Sequence, residues 1–302
     1  MDIPSHITIK EVGPRDGLQN EKVILSTKEK IAWINRLSQT GLSYIEVTSF
    51  VPAKWIPALA DALEVASTIE RKKGVTYAAL VPNIYGLERA LQANIDEINV
   101  FVSSSETHNK RNVNKSISDT LDVIKEVADQ SLFTGRKVRG YVSTIFGCPY
   151  EGKINLDKIK KIIDSLLNMG IYEISLGDTI GIANPLQVEH TLEELKKSFP
   201  LSIFAMHFHN TYGRGLANIL VSLQQGITTY DSSFGGLGGC PYAAGASGNV
   251  ATNDLVNMLH TMHVQTGIDE RALTLARRII DDKLGKRFSS HLLQIKNEQV
   301  KK

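Results

Sequence analysis

The spacing of apolar residues along the chain changes repeatedly between two periods. Short runs rich in Val, Ile, Thr and aromatic residues are typical of buried strands, whereas the stretches between them place apolar residues three and four positions apart, as amphipathic helices do. The predicted strands are Ile7–Val12, Tyr44–Val47, Thr76–Val81, Glu97–Val102, Lys137–Thr144, Glu173–Leu176, Ser202–Phe208 and Thr229–Phe234. The clearest predicted helices are Lys28–Leu37, Ala58–Ile69, Ile117–Ala128, Leu156–Leu167 and Leu216–Leu223.

Capping residues support these boundaries. Ser26 and Glu29 have the spacing of a capping box at the start of the first helix. Gly41, Gly74 and Gly170 each follow the end of a helical pattern, where a left-handed residue commonly stops a helix.

The alternation of strand and helix predicts the fold class. A helical crossover returns each strand to the same direction, so the sheet is parallel, and eight such units in about 250 residues close a (β/α)8 TIM barrel. A doubly wound open sheet is the alternative, but no Gly-x-Gly-x-x-Gly follows the first strand. We expect a single domain over 1–302, with the barrel at about 5–265 and a C-terminal helical extension at 266–302.

Composition narrows the function classes. A net charge of +2 without a basic and aromatic face argues against nucleic acid. The densest basic stretch, Lys283–Arg287, is interpreted as a solvated helix end, with phosphate binding as the alternative. Two cysteines form no disulfide framework, which suits a reducing compartment. No targeting peptide and no apolar run of the ~20 residues that span a bilayer is visible, so we expect a cytoplasmic protein with no membrane contact.

Ionisable and ligand-type residues follow five of the eight predicted strands. In a barrel, the chemistry lies at the carboxyl ends of the strands and in the loops after them. The opposite strand ends are expected to carry no comparable cluster. The residues at the carboxyl ends are Arg15 and Asp16 after the first strand, Glu46 in the second, Asp178 and Thr179 after the sixth, His207 and His209 at the end of the seventh, and Asn249 after the eighth.

His207 and His209 are candidates for a shared metal ion. Residues two apart in a strand point to the same side, with Cα atoms roughly 6.6 Å apart, so their imidazoles can converge. Alternatively, one histidine binds a neighbouring carbonyl and the other merely packs. Together with Asp16 and Asn249, the set offers one carboxylate, two imidazoles and an amide oxygen, which suits Mg²⁺ or Mn²⁺ better than zinc.

Arg15 stands directly before Asp16 in a turn framed by glycine and proline. Such a pair can be a simple surface ion pair. If Glu46 on the adjacent strand grips the guanidinium, the fixed arginine beside a metal can instead hold an oxyanion such as an enolate.

The two cysteines lie in similar sequences, "FGCPY" and "GGCPY". Cys240 belongs to the glycine-rich loop "GGLGGCPYAAGASGN", where a thiol is a candidate for proton transfer, although a loop cysteine without a task is the alternative. For Cys148 we expect a structural role.

Six segments resemble the 3-hydroxy-3-methylglutaryl-CoA lyase family, which belongs to the metal-dependent barrel lyases. They run in the same order over about Thr8 to Asp254 and are "EVGPRDGLQNE", "YIEVTSFV", "GYVSTIFGCPYEGKI", "EISLGDTIG", "HFHNTYG" and "GGLGGCPYAAGASGN". The last is the most specific, because related carboligases carry a different loop there. One departure is Asn210, where many members carry aspartate.

The resemblance implies cleavage of (S)-3-hydroxy-3-methylglutaryl-CoA, an acyl-CoA thioester, to acetyl-CoA and acetoacetate by a retro-Claisen reaction, a step of leucine degradation and ketone-body formation. It implies a homodimer. The positions that match the family's divalent-metal ligands are Asp16, His207, His209 and Asn249, and the catalytic group comprises Arg15, which neutralises the departing carbanion, its partner Glu46, and the loop thiol of Cys240.

Several points stay open at this level. The general base is Asp16 or His207, and the final proton donor is Cys240 or His207. Lys22 and Arg287 are candidates for binding the CoA phosphates. The alternative functions are an acetyl-CoA-dependent carboligase of the isopropylmalate or citramalate synthase type and a non-catalytic acyl-CoA or metal-binding protein.

Overall fold

A computed structural model gives the fold, and it describes residues 2–240, 243–285 and 287–300, with side chains for 2–238, 248–285 and 287–295. Eight parallel strands form a closed barrel in sequential order, with β1 paired to β8. The predicted (β/α)8 barrel is therefore confirmed. The strands are β1 (Thr8–Glu11), β2 (Tyr44–Ser49), β3 (Thr76–Leu80), β4 (Glu97–Ser103), β5 (Lys137–Ser143), β6 (Glu173–Asp178), β7 (Phe204–Phe208) and β8 (Thr229–Ser232).

Helices surround the barrel and continue past it. They are α1 (Thr27–Ser38), α2 (Ala62–Thr68), α3 (Ile84–Gln92), α4 (Glu106–Val113), α5 (Ile117–Phe133), α6 (Leu156–Asn168), α7 (Pro185–Lys196), α8 (Gly215–Gln224), α9 (Thr252–Thr261), α10 (Glu270–Leu275), α11 (Asp281–Leu284) and α12 (His291–Val300). An antiparallel pair, β9 (Gly239–Cys240) and β10 (Ala243–Ser247), follows β8. None of the helices within the described ranges has the length and apolar character needed to cross a membrane.

Several predicted boundaries are wrong: α5 continues to Phe133, five residues beyond the predicted end, and β2 and β6 each continue two residues further. At three other boundaries a short 3₁₀ turn replaces regular structure. The turn Leu201–Ile203 delays the start of β7, and the turn Phe234–Gly236 ends β8 early. The turn Pro57–Leu59 begins at a proline, so α2 starts only at Ala62. The predicted capping box at Ser26 and Glu29 is present.

The apolar core lies between the strands and the helices rather than inside the barrel. Outward-facing strand residues such as Ile98, Leu176 and Met206 are completely buried against the helices. The barrel interior is polar instead, in contrast to the branched apolar layers that usually fill this fold. Inward-facing strand residues in it include Lys10, Tyr44, Glu46, Glu97, Asn99, Arg139, Tyr141, Glu173, Ser175 and Asp231.

Part of this polar interior corrects the expectation that the amino ends of the strands carry no cluster. Lys10 forms an ion pair with Glu173 at 2.7 Å and lies 3.9 Å from Glu97, and both glutamates are the first residues of their strands. Lys10 of β1 points into the barrel and reaches the first residues of two other strands. The order of residues along the chain does not show this proximity. The cluster fills the amino-terminal end of the barrel with paired charges.

The C-terminal extension packs against the start of the glycine-rich loop. Gly235 has a φ of 63°, and a Cβ there would lie 2.5 Å from the Phe288 ring, so only glycine fits. Ser289 donates a hydrogen bond to the Gly236 carbonyl, and Asp254 accepts hydrogen bonds from the start of α12. The tail thus fixes the base of the loop.

Glu11, the last residue of β1, links this strand by hydrogen bonds to the chain that follows β8. Its carboxylate accepts hydrogen bonds from the backbone of Gly13 and Phe234 and from the hydroxyl of Thr252. Burial raises the pKa of this carboxyl from 4.5 to about 7, although the three donors act in the opposite direction. At a pH between these two pKa values, Glu11 is mostly ionised in the unfolded chain and mostly protonated in the folded protein, so folding takes up a proton.

Because the folded protein holds this proton more tightly, stability should fall as the pH rises from 4.5 to about 7. We expect the loss of unfolding free energy between pH 5 and pH 8 to be about 3 kcal/mol smaller in Glu11→Gln than in the unsubstituted protein. Urea unfolding at the two pH values measures this difference. Equal losses in the two proteins would contradict the raised pKa.

Candidate active site

A single helical turn at the carboxyl end of β1 carries Arg15 and Asp16. Residues Gly13–Gly17 form one wide helical turn, in which the Val12 carbonyl accepts hydrogen bonds from the backbone N–H groups of Arg15, Asp16 and Gly17. The turn packs on the end of β8, where a Cβ on Gly17 would lie 2.7 Å from the Ser233 hydroxyl oxygen. Its shape therefore directs two consecutive side chains into the barrel mouth.

Asp16 is held by donors on both oxygens. Arg15 Nη1 and Gln19 Nε2 donate to Oδ1 at 2.7 and 2.8 Å, and Asn249 Nδ2 donates to Oδ2 at 2.7 Å. Burial alone would raise the pKa of Asp16, but the charges of Arg15 and of the neighbouring histidines hold it below its usual value. The carboxylate therefore stays ionised and fixed.

His207 and His209 converge with Asp16. Their rings, at the end of β7, have centroids 5.5 Å apart, and His207 Nε2 lies 3.9 Å from Asp16 Oδ2. One ligand atom from each of the three residues lies within 4.8 Å of the other two, so the group could hold a metal ion. We call these three residues the metal group.

Asn249 adjoins the metal group through the backbone and through its amide. It bridges His209 in an antiparallel pair, and its Nδ2 also donates to the Leu237 carbonyl at 3.1 Å. With the amide nitrogen directed at Asp16 and Leu237, the Asn249 Oδ1 atom is buried without a partner among the described residues. The Nδ1 atom of His209 is likewise buried and unpartnered within the described chain.

These two orphan atoms show that the site fits a cation. Buried acceptors without a partner are rare in folded proteins, because each costs about 1–3 kcal/mol. The carboxylate and two imidazoles that converge here, with the buried amide oxygen of the adjoining Asn249, form a donor set for a divalent ion. The structure thus brings together all four residues that the sequence predicted as ligands.

Glu46 binds the Arg15 guanidinium, as the sequence predicted. Its Nε donates to Glu46 Oε2 at 2.6 Å, and Glu46 also accepts hydrogen bonds from Asn99 Nδ2 at 2.7 Å and Tyr141 Oη at 3.2 Å. The Tyr141 ring lies 5.3 Å from the Arg15 guanidinium carbon. Burial would lower the pKa of Arg15, but Glu46 and Asp16 raise it, so the guanidinium keeps its charge.

The two histidines of the metal group differ in their surroundings. Burial would lower the pKa of His207, but a hydrogen bond to Asp231 and the charges of Asp231 and Asp16 raise it. Burial and the adjacent His207 lower the pKa of His209 to about 4. His207 is therefore the more basic of the two imidazoles in the metal-free protein.

The remaining sequence-predicted positions are less closely tied to the group. Asp178 accepts hydrogen bonds from the backbone of Ile182 and Ala183, and burial raises its pKa to about 7. Thr179 accepts a hydrogen bond from the Thr144 backbone. Asp178 and Thr179 thus shape the loop after β6 rather than contact the metal group.

The cysteine positions differ in how far the structure describes them. Cys148 is buried, and its Sγ lies 3.0 Å from the Ser105 hydroxyl and accepts from the Tyr150 backbone, in a bridge with Gly152. Cys240 lies at the end of β9, but its side chain is outside the part that the structure describes.

Asn210 and the basic candidates lie around the mouth. Asn210 Oδ1 accepts from the Gly215 backbone at 2.9 Å, a bond that an aspartate could also accept. Lys22 and Arg287 are exposed. Lys22 follows Glu21, whose carboxylate reaches the Gly238 backbone, and Arg287 precedes Phe288. Each is therefore the sequence neighbour of a residue that contacts the start of the glycine-rich loop.

Sequence reasoning missed several residues of the site. Gln19 lies in the quoted motif "RDGLQ", and its spacing of three from Asp16 in a helical turn was a usable signal. Tyr141, Asn99 and Asp231 lie inside the barrel on alternating strand positions. Their polar character in otherwise apolar strands was visible, but their mutual distances depend on the barrel register.

Comparison with known proteins gives consistent matches. The HMGL-like family profile matches residues 6–280. A hydroxymethylglutaryl-CoA lyase of Bacillus subtilis is 54% identical over 98% of this chain and 99% of its own length. The crystal structure of the HMG-CoA lyase from Bacillus subtilis superposes with a TM-score of 0.97, with 98% of this chain and 100% of that chain covered. An HMG-CoA lyase from Acinetobacter baumannii, solved with coenzyme A and 3-methylmalate, has 40% identity and a TM-score of 0.92 over 97% of this chain and 96% of its own.

Proposed function

The chain belongs to the HMGL-like family and is a carbon–carbon lyase, and we propose that it cleaves (S)-3-hydroxy-3-methylglutaryl-CoA to acetyl-CoA and acetoacetate. The observation that carries this proposal is the metal group with a buried, charged Arg15 against it. Full-length matches to lyases at 54% and 49% identity support cleavage over the carboligase alternative.

We propose that Asp16, His207, His209 and Asn249 hold Mg²⁺ or Mn²⁺. The orphaned Oδ1 of Asn249 and Nδ1 of His209 support this assignment, as does the single carboxylate. When bound, a divalent cation would lower the pKa of the substrate's 3-hydroxyl and orient the substrate. The side chains around it supply the remaining chemistry.

Arg15 binds the thioester oxygen, where negative charge develops as the bond between C2 and C3 breaks. Its Nε and Nη1 atoms are occupied by Glu46 and Asp16, whereas Nη2 has no hydrogen-bond partner within the described residues. A preorganised donor of this kind stabilises an enolate without reorganising during the reaction. Glu46 acts by holding the guanidinium in place.

The reaction moves one proton off the substrate and one onto it. A base removes the proton of the 3-hydroxyl, C3 becomes the ketone of acetoacetate, and C2 leaves as the enolate of acetyl-CoA. The two candidate bases are Asp16 and His207, and whichever of them takes the proton must do so with an atom that does not bind the metal ion.

Cys240 completes the cycle by protonating the enolate carbon, with His207 as the other candidate donor. Cys240→Ala should lower kcat by about 100-fold while the metal dissociation constant changes far less. Steady-state kinetics and isothermal titration with Mn²⁺ measure the two quantities. Cys148→Ala is the matched control from the twin "GCPY" sequence and should retain kcat within about threefold. Equal losses of turnover and metal binding in Cys240→Ala would point to a structural role.

Lys22 and Arg287 are proposed to bind the CoA phosphates. Both are exposed basic residues that flank the base of the glycine-rich loop.

The experiment that tests the function is direct. The purified protein with Mg²⁺ should release acetoacetate and acetyl-CoA from the substrate, and EDTA should abolish the release until Mg²⁺ or Mn²⁺ is restored. Condensation of acetyl-CoA with a 2-keto acid, without cleavage, would establish the carboligase instead. Tight acyl-CoA binding without any turnover would establish a binding protein.

Other expectations from the sequence stay predictions. They are the single-domain organisation, the roles in leucine degradation and ketone-body formation, the homodimer, the cytoplasmic location, and the absence of nucleic-acid and membrane partners.

A further inference from the structure

Asp231 is a buried carboxylate behind the metal group that the proposed reaction does not use. It lies on β8 inside the barrel, and its side chain is completely inaccessible to solvent. The parallel register of β7 and β8 pairs it with His207. The two side chains therefore lie side by side, with Asp231 on the side of the His207 ring away from Asp16.

The His207 ring lies between two carboxylates. Its Nδ1 is 3.3 Å from Asp231 Oδ2, and its Nε2 is 3.9 Å from Asp16 Oδ2. The Tyr141 ring meets it edge-on, with centroids 6.1 Å apart. Each nitrogen thus faces a different partner, and the ring plane is confined by packing.

Asp231 is itself fixed by two donors. Arg139 Nη2 donates to Oδ1 at 2.8 Å, and the Ser175 hydroxyl donates to Oδ2 at 2.6 Å. Arg139 is completely buried and is held in turn by Glu173. A carboxylate bound in this way cannot rotate away from the histidine.

We propose that Asp231 is a positioning residue that holds His207 in the tautomer with hydrogen on Nδ1 and a lone pair on Nε2 directed at the metal group. An ionised carboxylate can only accept a hydrogen bond, so the nitrogen facing it must carry the proton. A neutral imidazole carries one such proton, which leaves Nε2 free as a ligand. This inference rests on the proposed function for its consequence in turnover, but not for the tautomer.

The contrast with His209 supports a specific role. The Nδ1 atom of His209 is buried without a partner among the described residues and is open to an ion, whereas Nδ1 of His207 already faces Asp231. Hydrogen bonds that orient metal-binding histidines typically change metal affinity or activity by 10–100-fold when they are removed. His207 is thus the ligand whose direction is set before any ion arrives.

The first test observes the tautomer of His207 in the unsubstituted protein. Long-range ¹H–¹⁵N spectra of the metal-free protein labelled at its eight histidines should show His207 with hydrogen on Nδ1. The His207→Gln variant assigns the signal by its disappearance. A His207 ring with hydrogen on Nε2 and none on Nδ1 would overturn the proposal.

The second test is Mn²⁺ affinity, measured by electron paramagnetic resonance. Asp231→Asn should weaken binding by about 10–100-fold, because an amide can present either nitrogen or oxygen to the ring. Glu173→Gln is the matched control: it perturbs the same Arg139 ion pairs but leaves the Asp231–His207 contact, and should change affinity less than about threefold.

The outcomes test the positioning role of Asp231 separately from the proposed lyase function. A folded Asp231→Asn protein with unchanged Mn²⁺ affinity would overturn the positioning role, as would equal losses in Glu173→Gln, which would indicate only charge compensation for Arg139. If Asp231→Asn does not fold, the spectrum of the unsubstituted protein still decides. Failure of that protein to cleave the substrate would overturn the proposed function and leave the tautomer result standing.

Discussion

Arg15→Gln should lower kcat for thioester cleavage by about 10²–10³-fold, a loss of about 3–4 kcal/mol of transition-state stabilisation. In the proposed mechanism the variant loses the fixed positive charge that meets the developing enolate, while the ligand atoms of the metal group remain. Mn²⁺ affinity and substrate KM should therefore stay within about tenfold. Glu46 keeps its hydrogen bonds from Asn99 and Tyr141, so the variant should fold.

Arg71→Gln is the matched control for this prediction. Arg71 also pairs with a carboxylate, Asp96 at 3.1 Å, but on the outside of the protein, with 28% of its side chain exposed. Its replacement should leave kcat unchanged. A normal kcat in Arg15→Gln would remove the arginine from the chemistry, and a parallel loss of Mn²⁺ affinity would instead assign it to the metal group.

The barrel and the four proposed ligands were predictable because each rests on local sequence. The change of apolar period along the chain marks each strand and helix, and the fold then places all strand ends at one mouth. Asp16 follows β1, His207 lies at the end of β7 and Asn249 comes after β8. The rule brings these residues together without knowledge of any contact.

The hydrogen-bond partners of the site residues were not predictable, because they depend on how the strands are aligned in the barrel. The contact of His207 with Asp231 depends on the register of β7 against β8, and the contact of Glu46 with Asn99 bridges β2 and β4. Strand patterns give the face of a residue but not its height in the barrel. Periodicity therefore identifies Asp231 as a residue inside the barrel, but not as the partner of a histidine.

The turn after β1 shows a second limit. The sequence predicts a turn at Gly13–Gly17, but only the structure shows that it winds around the Val12 carbonyl and so directs Arg15 and Asp16 to one side. Interior charges of opposite sign, such as Lys10 and Glu173, were missed for the same reason: their pairing spans the barrel.

Asp16→Asn should weaken Mn²⁺ binding by at least about 100-fold, more than the loss of an outer hydrogen bond to a ligand typically costs. Asp16 is the only carboxylate of the metal group, so the substitution removes its one negative charge. The new amide nitrogen would also face a donor, because Arg15, Gln19 and Asn249 all donate to this side chain. Turnover at saturating substrate should fall with the bound metal, and excess Mn²⁺ should restore only part of it.

Asp178→Asn provides the control for replacing a buried carboxyl by an amide near the same mouth. Asp178 is buried at the end of β6 and accepts hydrogen bonds from the backbone of Ile182 and Ala183. The Mn²⁺ affinity of Asp178→Asn should therefore change by less than about threefold. Isothermal titration of both variants, with thermal unfolding to confirm folding, gives the comparison. If Asp16→Asn binds Mn²⁺ as tightly as the unsubstituted protein, or if Asp178→Asn loses as much, the ion is held elsewhere. The convergence of Asp16 with the two histidines would then serve only to pair buried charges.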